Sequence, residues 1–410
     1  MKILQINCVY KKGSTGKIIS DIHRCLQEEG HQSIVCYGRG PKVCEPNVYK
    51  FCPELLANIH TAVIRTGFVL NYGGNFLPTL KLKNIIRKEK PDVVHIHCAN
   101  GSCVNIYSLF DFLAVNKYKT LITHHAGFYY TGSCEHAYGC KQFMDDGGCQ
   151  KCLRSFHTTR SKTWDNSHRA WKKMYNAINK FEYSNLLFTA VSPWLKERSL
   201  LSPIVKNYRC EVVMNGVNTS VFNYKVEDNI IKKKLACDNK KIVLFVTAHF
   251  NPSEKNDNKG GWYLIELAKQ MTDVIFVVVA FNILATSQLP DNVVIWGASK
   301  NQFELASLYR SANLSIILSR RETFSMVTAE SLCCGTPVVG FKAGGPESIA
   351  FHSFSSFVEY GNIDALQQSI YQLLNLEIDK KYIANLSVER FAREVMTNNY
   401  IKEYLNLLDF

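Results

Sequence analysis

Two glutamates stand eight positions apart in the stretch "SRRETFSMVTAESLCCGTPVVGFKAGGPESIA", Ser319 to Ala350: Glu322 and Glu330. Carboxylate oxygens only accept hydrogen bonds, which suits them to a diol, a group that offers two donors. Eight helical positions span about 12 Å, so the two cannot share one small site from within a single helix. The pattern resolves this. "NLSIILS" reads as a strand ending near Ser319, Glu322 falls in the following loop, and a helix starts near Ser325, whose hydroxyl can cap it. The free amides and positive dipole end of that helix attract an anion. Glu322 is then expected beside the anion and Glu330 more than a helical turn further on. A ligand with phosphate in its middle and hydroxylated rings at both ends would fit.

Other residues able to do chemistry lie elsewhere. His97 in "HIH" and His125 in "THH" each follow a β-branched run, at the end of a predicted strand. Lys259 in "NKGG" is a cation beside a glycine turn. "CEHAYGCKQFMDDGGCQKC" places Cys134, Cys140, Cys149 and Cys152 as C-x5-C, x8, C-x2-C. Four thiolates at such spacing would close a tetrahedral structural zinc site, with no position left open for catalysis. Buried free thiols and a redox disulfide are the competing readings of the same four residues.

The scaffold has to supply strand ends at each of these places. A chain of 410 residues is long enough for two domains. Strand and helix patterns alternate in two series: "KILQINCV", "SIVCY", "DVVHIH" and "TLITHH", then, after a break near "VVMNGVNTSVFN" and the basic segment "NIIKKKLACDNKK", "IVLFVTAHF", "DVIFVVVAF", "NVVIWG", "NLSIILS" and "TPVVGF". Such alternation predicts two doubly wound α/β domains with parallel sheets, binding ligands outside the carboxyl ends of their strands. The longest apolar run, "VIFVVVAFNILA" at 274–285, is short of the roughly 20 residues of a membrane-spanning helix. With no secretory signal and fifteen cysteines, an odd number, the reading is a cytoplasmic protein with reduced thiols.

Charge is divided unevenly. Residues 1–200 hold 27 Lys and Arg against 14 Asp and Glu, whereas 201–410 hold 21 of each. The whole excess of +13 lies in the first half, which suggests an anionic partner there. A basic zinc-containing nucleic-acid-binding protein would account for that charge, but not for Glu322 and Glu330. A sugar-nucleotide epimerase would share the architecture, but would not explain an excess of basic charge confined to one domain.

Glu322, seven residues, then Glu330, followed by "CGTPVV" and "GGPESI", resembles the signature of family 4 retaining glycosyltransferases, which have the GT-B fold of two Rossmann-like domains facing a central cleft. "GSTGK", "KPDVVHIH", "VSPWLKE", "NGVNTSVF", "KGG" and "NQFELASLYRSANLSIILS" follow the family's order, and 123–152 resembles bacterial exopolysaccharide, capsule, O-antigen and colanic-acid-type members. The resemblance implies a first domain over 1–215 with a Cys-rich insertion at 126–165, a nucleotide-sugar domain over 216–385, and a C-terminal helix over 386–410 packing back towards the first. It implies that Glu330 binds the ribose and Glu322 faces the donor sugar. Backbone amides at Phe324, Ser325 and Met326 would meet the sugar and diphosphate, Gly16 would admit the diphosphate, and Lys259 would pair with its phosphates. His125, with His97 close by, would hydrogen-bond a sugar hydroxyl near the reacting carbon. The chain departs from the family twice. Ala126 stands where an aspartate is usual, and the phosphate-binding arginine is missing from "VTAHFNPSEK", which offers only His249 and Lys255. The implied activity is metal-free transfer of a sugar from a UDP- or GDP-sugar to a polyprenyl-diphosphate-linked oligosaccharide. It would take place peripherally at the inner face of a bacterial membrane with an anionic surface, without nucleic acid.

Overall fold

The computed structural model describes residues 1–225, 230–235, 240–284 and 289–410. Ala285 and part of the basic segment 229–241 lie outside the described residues. Two compact units result: Met1–Met214 with Met396–Phe410, and Asn215–Val395.

In the first unit, strands β1 (Lys2–Val9), β2 (Gln32–Arg39), β3 (Val48–Lys50), β4 (Val93–Ile96), β5 (Thr120–His124), β6 (Leu186–Ala190) and β7 (Arg209–Val212) form one sheet in the order 3-2-1-4-5-6-7. Every pairing is parallel. The order reverses at β1, so the switch point lies between β1 and β4. Residues from β1, β4, β5 and β6 are buried with Met396, Tyr400, Tyr404 and Leu407 of the helix Arg393–Leu408.

The second unit repeats the plan with β8 (Lys241–Phe250), β9 (Val274–Ile283), β10 (Val293–Gly297), β11 (Leu314–Ile317), β12 (Val338–Phe341) and β13 (Ser355–Val358), all parallel in the order 10-9-8-11-12-13. Its switch point falls between β8 and β11. The sequence of β9, "VIFVVVAFNI", is buried from Val274 to Ala280, as a central parallel strand covered on both faces should be.

The expected α/β architecture of two Rossmann-like domains is therefore the one observed. Among the described residues no helix is long and apolar enough to cross a membrane.

Candidate active site

The second unit organises Glu322 and Glu330 as a strand end followed by a helix. β11 stops at Ile317, and the helix Met326–Cys333 is capped by Ser325, whose Oγ accepts from the Thr328 amide at 3.2 Å. With that amide taken, those of Met326 and Val327 still have no intrahelical partner and are the donors available to an anion. Ser325 has a φ of 78°, uncommon for a residue with a side chain. Backbone strain of this kind collects where surrounding structure forces it, often at ligand sites.

The loop before the helix is held by the turn after β12. The Glu322 amide donates to Ala343 O at 3.1 Å, and the Gly345 amide donates to Glu322 O at 2.8 Å. A Cβ on Gly345 would lie 2.5 Å from the Phe324 nitrogen. The second glycine of "GGPES" thus lets this turn press against the backbone that aims Glu322.

Lys259 reaches the same place from the loop after β8. Its Nζ lies 2.6 Å from Glu322 Oε1, in an ion pair with about a quarter to a third of each side chain exposed. Asp257 fixes the loop: one oxygen accepts from the Lys259 amide at 3.0 Å and the other lies 2.8 Å from His249 Nε2. Glu330 is held separately, accepting from the Tyr309 hydroxyl at 3.2 Å. Burial, and then the Glu330 charge, raise that phenol well above its ordinary pKa, so Tyr309 remains a donor. Glu322, Lys259 and the start of the helix are brought together, and Glu330 is fixed further along it.

Three participants were not singled out from sequence. Asp257 and Tyr309 position Lys259 and Glu330. Arg320, whose amide donates to Asn258 O at 2.9 Å, puts an exposed guanidinium-bearing residue between β11 and Glu322. The doublet "RR" before Glu322 was its visible signal.

In the first unit, His97 and His125 follow β4 and β5 and meet directly, His97 Nδ1 lying 3.0 Å from His125 Nε2. Tyr129 fastens the His97 backbone, donating to its carbonyl at 2.7 Å and accepting from the Ala99 amide at 3.1 Å. Beneath them His95 is held by the Tyr404 and Thr123 hydroxyls at 2.7 and 2.8 Å. His97 Nε2 is buried without a hydrogen-bond partner. Burial disfavours the charged form; it pushes the His125 pKa down to about 4 and those of His95 and His97 well below the ordinary range. These imidazoles are neutral at physiological pH.

Gly16 lies in the helix Gly13–Glu28 after β1. A Cβ there would come within 3.1 Å of Val9 Cγ2 and 3.3 Å of the Lys11 nitrogen, so the missing side chain admits the unit's own loop.

Cys134, Cys140, Cys149 and Cys152 all line one cavity of about 290 Å³. As placed they are no zinc ligand set: among the described residues no three His, Cys, Asp or Glu side chains could hold a metal ion. Cys134 Sγ instead donates to His136 O at 3.1 Å, and Cys149 Sγ to Thr131 O at 3.7 Å. Without a metal, burial raises both thiols, to about 11 and about 12, so they are protonated at physiological pH.

Comparison with known proteins identifies the family. Residues 15–221 match the family described as Glycosyltransferase Family 4, and residues 226–387 match Glycosyl transferases group 1. N-acetyl-alpha-D-glucosaminyl L-malate synthase of Bacillus anthracis is 22% identical over 98% of this chain and 96% of its own length. A D-inositol 3-phosphate glycosyltransferase of Segniliparus rotundus is 42% identical, but over only 17% of this chain and 16% of its own. Among solved structures, sucrose-phosphate synthase of Thermosynechococcus elongatus superposes with a TM-score of 0.65 at 15% identity, covering all of both chains. Anabaena HepE in complex with UDP superposes at 0.64 and 17%, covering 99% of this chain and all of that one.

Proposed function

The chain belongs to Glycosyltransferase Family 4 and is a glycosyltransferase; on that premise we propose that it moves a sugar from a UDP-sugar to a hydroxyl of a polyprenyl-diphosphate-linked oligosaccharide, with retention of configuration, in bacterial surface polysaccharide synthesis. The observation that carries the donor half is the Lys259–Glu322 pair at a helix start, with Glu330 fixed on the same helix by Tyr309. UDP is preferred to GDP because the HepE relative was solved with UDP.

In this reading the diphosphate lies on the Met326 and Val327 amides, and Lys259 turns from Glu322 to the phosphates. Arg320 stands in for the arginine missing after β8. Glu330 binds the ribose diol, and the freed Glu322 faces the sugar. The bond between the anomeric carbon and the diphosphate breaks, the acceptor oxygen bonds to that carbon on the same face, and the acceptor's proton passes to the departing phosphate oxygen. Fixed amides and cations aimed at the charge that develops on the leaving group supply the main catalytic effect. His125, neutral through burial, hydrogen-bonds a sugar hydroxyl and carries no catalytic charge; His97 sets its ring.

Calorimetry with UDP, GDP and UDP-glucose, followed by product analysis with and without acceptor, tests the assignment. Micromolar UDP binding with no reaction on donor alone is expected. Conversion of donor to its epimer without acceptor would replace the transferase reading by the epimerase one, and absence of nucleotide binding would end both.

A further inference from the structure

A group of cysteines gathers at the switch point of the first unit, apart from the cavity lined by Cys134 and Cys152. Cys8 lies in β1, Cys52 follows β3, and Cys98 and Cys103 follow β4. All four are free thiols. Cys52, Cys98 and Cys103 are buried, whereas Cys8 is partly open to solvent.

Two missing side chains set Cys8 against Cys103. In the parallel register of β1 with β2, Asn7 pairs with Tyr37 and Val9 with Arg39, so Gly38 lies opposite Cys8. A side chain there would point to the same face of the sheet as Cys8. A Cβ on Gly38 would stand 2.3 Å from Cys103 Sγ, so this sulfur fills the place beside Cys8 that Gly38 leaves empty. From the other side, a Cβ on Gly101 would stand 2.2 Å from Cys8 Sγ. Gly101 and Ser102 have φ values of 81° and 57°, which bends the chain tightly just before Cys103.

The two thiols are chemically unequal. The hydrogen bond from Cys103, and to a smaller extent the Arg39 charge, hold the Cys8 thiol below its ordinary pKa against the effect of burial. Arg39 is fixed nearby, its Nη1 donating to Gly101 O at 3.1 Å and its Nε to Glu54 Oε2 at 2.9 Å. The Cys103 hydrogen, otherwise directed at Asn100 O 3.5 Å away, turns to Cys8 when that sulfur is a thiolate. That bond, and then burial, raise Cys103 well above its ordinary value. Burial also raises the neighbouring Cys52, to about 11, and Cys98. A reachable sulfur with thiolate character beside a buried, protonated one is the arrangement of an attacking and a resolving thiol.

We propose that Cys8 and Cys103 form a redox modification site that reacts with small disulfides and closes into a crosslink. The Cys8 thiolate attacks a disulfide RSSR, forming Cys8–S–S–R and expelling RS⁻, which takes up a proton equivalent to the one Cys8 gave to solvent. Cys103 then loses its proton, and its sulfur attacks Cys8 Sγ. The bond from Cys8 Sγ to the small thiol's sulfur breaks, and the second RS⁻ leaves with the Cys103 proton. Two protein thiols are oxidised and one small disulfide is reduced to two thiols. The new bond ties the end of β1 to the segment between His97 and the helix Ile106–Val115, where sheets of this kind collect ligands. It does not rest on the acceptor proposed above.

The full chain, reduced and then incubated with oxidised glutathione, is mapped by peptide mass spectrometry without further reduction. Cys8 should be joined to Cys103, lighter by two hydrogens than the separate peptides and free of glutathione, and dithiothreitol should reverse the change. In Cys103→Ala, glutathione should stay on Cys8. In Cys8→Ser, Cys103 should remain a free thiol, because its side chain is fully buried and is reached through Cys8. A cooperative thermal melt shows whether each variant is folded, and the wild-type map decides alone where one is not. Cys8 recovered as a free thiol while the exposed Cys44 and Cys140 carry glutathione overturns the proposal. So does a crosslink from Cys8 to Cys52 or Cys98.

Discussion

Two candidate functional regions occupy equivalent places, the carboxyl ends of parallel strands, yet they are kept in different dielectric states. At β11 the charged Lys259–Glu322 pair is partly open to water. At β4 and β5 the His97–His125 pair is buried and neutral. A surface ion pair contributes little to stability and can be exchanged for another ion pair at small cost, which suits a site that must accept and release a diphosphate. A dry imidazole network keeps one orientation and one charge, which suits a group that only has to hold a neutral sugar. The architecture is common to both regions; solvent access decides which chemistry each can do.

The comparison breaks most directly at Glu322. Glu322→Gln should lower sugar transfer by about 100- to 1,000-fold, an effect of the size seen for lost transition-state contacts, while UDP binding by calorimetry persists. Glu330→Ala should do the reverse first, weakening UDP by about 10- to 100-fold, since hydrogen bonds to charged groups contribute about 1.5–3 kcal/mol. Wild-type UDP affinity in that variant would remove Glu330 from the site. Tyr309→Phe removes only the positioning bond and should cost about 1 kcal/mol of UDP affinity, with turnover at saturating donor nearly intact.

Acid sharpens the contrast on the histidine side. In the unfolded chain each histidine titrates near about 6.5, whereas burial holds His125 at about 4 and His95 and His97 lower still. Between those values the unfolded chain takes up protons that the folded one refuses. Stability is therefore full above about pH 6.5 and should fall as pH drops towards 4. A thermal melt series across that window should show Tm declining, and His95→Phe, which removes one such proton site, should flatten the slope. A Tm independent of pH there would mean that the histidines are hydrated.

A final test concerns the cysteine cavity. Elemental analysis of protein purified without a metal-affinity tag decides between the readings of the four cysteines: one zinc per chain, lost in Cys149→Ser together with most transfer, is expected of the structural site, and a metal-free, fully active preparation of free thiols. A full equivalent of zinc, lost in that variant, would show that the four side chains can rotate to converge.

Much of this was legible in sequence for a physical reason. Long, β-branched runs such as β1, β8 and β9 declare buried parallel strands, and a strand end followed by Ser325 declares a capped helix. The short strands β3, β7 and β13 escaped, because three or four residues of mixed polarity carry no period, and so did β6, "LLFTA", because a short apolar run cannot be told from a piece of buried helix by periodicity. Glu322 and Glu330 were visible through type and spacing, and Lys259 only through the family resemblance. Tyr309 and Asp257 were not, because their roles depend on contacts across 21 residues in one case and on two different atoms of one carboxylate in the other. The cysteine spacing fitted a zinc site, but spacing does not fix where each thiol points. The basic clusters "KLKNIIRKEK" and "RAWKKMYNAINK" pointed to an anionic partner, whereas the meeting of Cys8 with Cys103 emerged only once the sheet register was known.

Residues Met396, Tyr400, Tyr404 and Leu407 share one core with Ile3, Ile18 and Leu121. On the ribosome, these partners leave the exit tunnel at opposite ends of synthesis, with the whole of Asn215–Val395 made in between. Domains usually fold as units in the order they are made. Here the half of the molecule that is synthesised first waits with an open seam along β1, β4 and β5, and with His95 short of the Tyr404 hydroxyl, until Met396–Phe410 are made. The interval in which the first sheet is exposed to chaperones and to misassembly therefore lengthens with the length of the second unit.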